Sequence, residues 1–305
     1  MTGPRFTTVG IPIDSVGLGD GERHGTELSP DAVRAAGLRR LGWADAGDLD
    51  VRIPDGRRDA ASGLVGIDGV LAATTRIRDD VRERIERGER PFLLGGCCTL
   101  LSGALAGARD ALGGALGLVY VDGHLDFYDG VSSPTGEAAD MPVAVVLGRG
   151  PDAWNERVAP LPVVPPPAVA ILGFRDPDEL ADLEGRLAEL RSEGLLAIDA
   201  DTIARDGPAA AAEAALAHVG RAAERVWFHV DLDVLGEDVF PATDYLMPGG
   251  LDWPALVELL RPLAAAEGLV GWSVSCYNPE KDPDGSCGRA LVDAIEQVFA
   301  TGART

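Results

Sequence analysis

Two short stretches carry ionisable side chains on alternate positions where an apolar run stops. In LVYVDGHLDFYD, Asp122, His124 and Asp126 follow an apolar strand, and in VWFHVDLDVLGED, Asp231 and Asp233 do the same. While a chain stays extended, residues two apart point to the same side, so each stretch presents its polar groups as one set. Four carboxylates and an imidazole gathered at two strand ends repel one another unless they are protonated or neutralised by cations. Carboxylate-rich ligation with one imidazole suits hard to borderline divalent ions such as Mn²⁺. Two such ions sharing carboxylates bring the pKa of a water between them toward neutrality. Either stretch alone is explained as well by turn-forming aspartates; together they predict a site for two divalent metal ions.

A third apolar run, FLLGGCCTL, leaves its strand through glycines and delivers Cys97 and Cys98. Adjacent free cysteines are mostly small buried hydrophobes, but beside the two acidic stretches one of them becomes a candidate ligand. A thiolate would turn the preference from Mn²⁺ toward Zn²⁺ or Fe²⁺. His229 is expected either to face away from Asp231 or to be a core histidine, outside the site. His24 in a Gly-rich loop and His218 in a helix carry no specific signal.

The elements that must hold these residues alternate between β-like and helical runs. Strands are predicted at 7–13, around Val51–Ile53, and at PFLLGG, ALGLVYVDGH, 168–174, 195–200, RVWFHVDLDV and LVGWSVSCYN. Between them lie helical patterns, including one that opens at Ser29 as N-cap with Pro30 in the first turn. Another runs from about Gly66 to Arg90, and Asp252 is placed to cap a third. Near-continuous apolar strands separated by helices indicate an α/β fold, three layers with a central, mostly parallel sheet covered on both faces. In such sheets ligands gather at the carboxyl ends of the strands. No repeat or linker interrupts residues 1–305, so a single domain is expected.

Composition limits the partners. A formal net charge of -22 over 305 residues disfavours nucleic acid and anionic lipid, which need a basic surface. No apolar run is long enough to span a bilayer, no signal peptide is visible at the start, and the four cysteines suggest no disulfide framework. A cytoplasmic protein acting on a small molecule is the simplest expectation.

Taken together these stretches resemble the ureohydrolase family, which includes arginase, agmatinase and formiminoglutamase. GGCCT at 95–99, DGHLD at 122–126, HVDLD at 229–233 and CYNP at 276–279 stand where that family has Gly-Gly-Asp-His-Ser, Asp-x-His-x-Asp, Ser-x-Asp-x-Asp and Glu-x-Asn-Pro. GFRDPDE at 173–179 resembles its Gly-x-Arg-Asp-x-Asp-x-Glu turn. The resemblance covers nearly the whole chain and implies an arginase-like fold that assembles as trimers or hexamers. It implies that Asp122 and Asp231 bridge two ions, that Cys98 and Asp126 complete the first site and that His124 and Asp233 complete the second. It also gives Asp126 a proton-transfer role and places Asp178 and Cys276 against the substrate.

Three departures bear on the substrate. The family's first-site histidine is Cys98 here, as in a branch that hydrolyses hydroxyarginine. The histidine before Gly-Met-Pro corresponds to Ala139, and the glutamate that grips the guanidinium corresponds to Cys276. A guanidinium buried without a carboxylate keeps its charge poorly compensated. The implied activity is hydrolysis of a C–N bond in a guanidino or amidine-like compound, N-substituted rather than plain arginine. Metal-dependent amide or hydroxamate chemistry and a non-catalytic subunit of the same fold are the alternatives.

Overall fold

The computed structural model describes residues 6–16, 25–54 and 56–300. His24 and most of the expected Gly-rich loop lie outside the described residues. The strands are β1 (Thr7–Ile11), β2 (Ala44–Asp48), β3 (Pro91–Gly95), β4 (Leu116–Val121), β5 (Val169–Leu172), β6 (Leu196–Ile198), β7 (Arg225–Asp231) and β8 (Leu269–Ser275). They form one sheet in the order β2-β1-β3-β8-β7-β4-β5-β6, and every pairing is parallel. The helices are α1 (Ser29–Ala35), α2 (Ile67–Glu86), α3 (Leu100–Leu112), α4 (Pro142–Val146), α5 (Asp152–Val158), α6 (Pro177–Ser192), α7 (Ala200–Asp206), α8 (Pro208–Val219), α9 (Trp253–Ala264) and α10 (Ser286–Phe299).

Strand alternation divides the core in two. Leu93, Leu118, Tyr120, Ile171 and Trp227 pack on one face with Val70, Ile77 and Val81 of α2 and Leu101 and Leu105 of α3. Their neighbours Phe92, Leu94, Val119, Leu172 and Phe228 pack on the other with Ala215 of α8, Leu256 of α9 and Ile295 of α10. Strands buried on both faces read as nearly continuous apolar runs, and β3, β4 and β5 do so along their whole length. The result is the three-layer α/β/α architecture expected. No helix among the described residues is long and apolar enough to cross a membrane.

Two local expectations fail. The strand expected at Val51–Ile53 is coil, and β2 lies earlier, in ADAGD. That segment is an exposed edge strand, whose charged, small residues suit an unpaired edge and give no apolar signal. Ser29 is the first residue of α1, not its cap. A short 3-10 turn at Thr26–Leu28 runs straight into the helix.

Candidate metal centre

Four strands adjacent in space, β3, β8, β7 and β4, end at one crevice. Cys98 follows β3, Cys276 follows β8, Asp231 is the last residue of β7, and Asp122 follows β4. The parallel sheet thus converts four distant stretches into neighbours at one edge. Ligand atoms of Asp122, His124 and Asp233 lie within 4.8 Å of one another, as do those of Cys98, Asp231 and Cys276, and those of Asp122, His229 and Asp231. All of these except His229 line one cavity of about 200 Å³.

Backbone amides and hydroxyls fix the carboxylates. Asp122 accepts from the His124 N–H at 2.7 Å, and Asp233 accepts from the Gly123 N–H at 3.0 Å. Asp231 accepts from the Asp233 N–H at 3.0 Å and from the Ser275 hydroxyl at 2.9 Å. The His124 Nδ1 lies 2.9 Å from Asp233 and 3.6 Å from Asp122. The Arg175 guanidinium donates to the carbonyls of Asp233, Leu235 and Pro248, which pins the turn after β7.

Asp126 differs from its expected placement. The chain leaves the extended conformation after β4, and Asp126 has φ 54, so alternation no longer governs its side chain. Its carboxylate accepts the Tyr120 hydroxyl and lines the same cavity, but among the described residues it belongs to none of the three close groups. Glu179 holds the bend, accepting from the Leu125 and Asp126 amides at 2.7 and 2.9 Å.

His229 is a core histidine, one of the two expected alternatives, being fully buried, but the other, that it faces away from Asp231, is corrected. Residues two apart on a strand share a face, so His229 points with Asp231, not away from it. It stacks on Tyr120 with ring centroids 4.9 Å apart, and its nitrogens lie 2.7 Å from the Ser273 hydroxyl and 3.1 Å from the Ser275 hydroxyl. One tautomer satisfies every partner: Trp227 donates to Ser273, Ser273 to Nδ1, Nε2–H to Ser275, and Ser275 to Asp231. Both ring nitrogens are thereby committed. Burial pushes the imidazole pKa down to about 3, so His229 backs Asp231 as a neutral group and adds no charge.

The electrostatics call for cations. Burial, reinforced by Asp233, pushes the Asp231 carboxyl up to about 7. Burial and the neighbouring aspartates hold Asp122 well above the carboxylate range, and burial with Glu179 does the same to Asp126. Burial also raises Asp233, but His124 beside it brings it below its ordinary value. For His124, burial opposes the charge, yet Asp233, Asp122 and Asp176 raise its pKa well above the usual imidazole value. The raised carboxyls of Asp122, Asp126 and Asp231 hold protons that divalent cations would replace, and the spacing of the ligand atoms fits two.

The profile of the arginase family matches residues 5–300. This chain belongs to the arginase family. It is 28% identical over 300 residues to an arginase of Brevibacillus brevis, covering 96% of this chain and 97% of that one. The crystal structure of arginase from Bacillus cereus superposes with a TM-score of 0.85 at 25% identity, over 98% of this chain and all (100%) of that one. The native arginase of Bacillus caldovelox gives 0.85 at 25% identity, over 98% and 99%.

Within that family frame, the departures sit around the floor of the cavity. Cys276, with φ 63, turns toward Cys98, and the thiol of Cys98 donates to the Ala139 carbonyl at 2.9 Å. Cys97 points elsewhere, to Ser15 at 3.2 Å. Asp178 is exposed and lies along the cavity wall. Sequence reasoning missed Asp176, the N-cap of α6 that lies 3.7 Å from His124. It also missed Tyr245, which donates to Glu137 at 2.6 Å across the cavity.

The exit from β3 leaves no room for a side chain. A Cβ on Gly96 would stand 1.6 Å from the Ile13 carbonyl oxygen, a backbone atom that cannot swing aside. Gly96→Ala is therefore expected to displace the Cys97–Cys98 turn and cost about 2 kcal/mol or more. Thermal unfolding of the variant against the parent checks this.

Proposed function

We propose that this protein is a metal-dependent hydrolase that cleaves a C–N bond of a guanidino or amidine-like small molecule. The observation that carries this reading is the convergence of ligand groups on Asp122 and Asp231, which share one group while each also belongs to another. In this reading Asp122 and Asp231 would serve both ions, Cys98 and Asp126 would help hold the first, and His124 and Asp233 the second. Two divalent cations held there supply Lewis acidity and a hydroxide-strength nucleophile near neutral pH. Water oxygen joins the planar guanidino carbon, the C–N bond breaks, and an amine leaves with urea or a urea analogue. Asp126, steadied by Tyr120, takes a proton from the attacking water and returns it to the leaving nitrogen.

The cavity wall selects against anions. Glu137, Asp140, Asp176 and Asp178 line it, and no Lys or Arg stands among its described lining residues. Cys276 occupies the position where the resemblance puts a guanidinium-binding carboxylate. Without a carboxylate at that position, a guanidine of reduced basicity, such as an N-hydroxyguanidine, fits better there than a fully charged one.

The test is release of urea, substituted urea or amine by the metal-loaded protein from L-arginine, agmatine, N-methyl-L-arginine and N-hydroxy-L-arginine. The N-hydroxy compound is expected to exceed L-arginine by about tenfold or more in kcat/KM, and chelation is expected to abolish turnover. No cleavage of any of them by protein holding two ions per chain would overturn the proposal. Carboxylate release from an amide or hydroxamate would then favour the second reading, which fits the absence of a guanidinium-binding carboxylate at position 276.

A further inference from the structure

The cavity floor holds a second kind of ligand that hydrolytic carboxylate chemistry does not use. The turns after β3 and β8 are latched together, because the Cys276 N–H donates to the Gly96 carbonyl at 2.7 Å. That latch, with the left-handed backbone of Cys276, brings the Cys276 and Cys98 sulfurs and an Asp231 oxygen within 4.8 Å of one another. A tetrahedral zinc with Zn–S bonds of ~2.3 Å requires two sulfurs ~3.8 Å apart, a spacing inside the 4.8 Å limit this group meets. Both residues are buried, at 4% and 8% exposure, beside carboxylates rather than in a purely apolar packing site.

We propose that Cys276 is a metal ligand rather than a substrate contact, and that Cys98, Cys276 and Asp231 form a thiolate-rich cation site. Soft thiolates select Zn²⁺ or Fe²⁺ over Mn²⁺, whereas the Asp122, His124 and Asp233 set next to it suits a harder ion. The centre is therefore asymmetric, one position thiophilic and the other carboxylate–imidazole, with Asp231 between them. Loading the thiophilic position releases the Cys98 and Cys276 thiol protons to solvent. This inference rests on the proposed function only in assuming that the cavity binds metal.

The experiment is cobalt substitution of the full chain, stripped by chelator and kept reduced, read by near-ultraviolet absorption. The wild-type protein is expected to show sulfur-to-cobalt charge transfer, and Cys98→Ser and Cys276→Ser are each expected to lose about half of it, one of two Co–S bonds. In equilibrium dialysis, Zn²⁺ is expected to displace Mn²⁺ from one position per chain. Cys276→Ser is expected to weaken Zn²⁺ binding there by about tenfold or more while leaving the other position filled.

Absence of the charge-transfer band in the wild-type protein would overturn the proposal without recourse to any variant. So would a band that Cys276→Ser leaves at full strength. The outcome is separable from the hydrolase reading. A protein that shows the band and cleaves nothing keeps the thiolate site and loses that reading, and a guanidine hydrolase without the band does the reverse.

Discussion

Asp231→Asn is expected to strip both cations from the protein and lower kcat/KM by about a thousandfold or more. Asp231 is the residue common to the cysteine group and the Asp122–His229 group, and it is 1% exposed. Asparagine keeps its shape and can still accept from the Asp233 amide, but it lacks the charge that two cations would share. The variant also separates ligation from folding. Removing one of four crowded carboxylates relieves like-charge repulsion, so the chelated variant should melt at or above the temperature of the chelated parent. Elemental analysis, steady-state kinetics and melting in chelator check the three parts. Two tightly bound ions retained in Asp231→Asn would sink the shared role.

What could be read in advance depended on whether the signal was local. Asp122 and Asp231 were legible because each ends an apolar strand, and a parallel sheet gathers such ends at one edge. The three-layer fold followed from the same strands, which are nearly continuous apolar runs. Edge strand β2 was not legible, since ADAGD has neither apolar runs nor alternation. Asp126 was legible in identity but not in orientation, because its placement depends on a left-handed backbone and on Tyr120 and Glu179. Glu179, Ser275 and Arg175 act through partners roughly fifty residues away, a distance at which spacing carries no information. His229 was within reach of sequence reasoning, since the period of two that paired Asp231 with Asp233 pairs it with Asp231 as well. Cys276 carried no local signal toward metal; only the meeting of the β3 and β8 turns sets it against Cys98.

Stripped of metal, the protein is expected to lose stability as pH rises from about 5 to 8, with its melting temperature falling by on the order of 5 °C or more. Asp231 has its folded-state pKa raised to about 7, and Asp122 and Asp126 are raised well above the ordinary carboxylate value. Glu179 is raised to about 7 by burial. A carboxyl whose pKa is higher folded than unfolded binds more protons in the native state, and its stabilisation is complete below the ordinary carboxylate range. It is lost as pH climbs through the folded value. His124, also raised, acts with the same sign. Asp176, lowered to about 2 with its His124 hydrogen bond as the largest cause, acts oppositely, but its contribution is lost only in more acid solution. Divalent cations compete with these protons, so the rise in melting temperature on adding metal should be greater at pH 8 than at pH 6. Asp231→Asn should flatten the slope in chelator, which separates the site from the general repulsion of a chain with net charge -22. A chelated parent as stable at pH 8 as at pH 6 would mean that the clustered carboxyls ionise without cost, and the electrostatic case for two cations would fall with it.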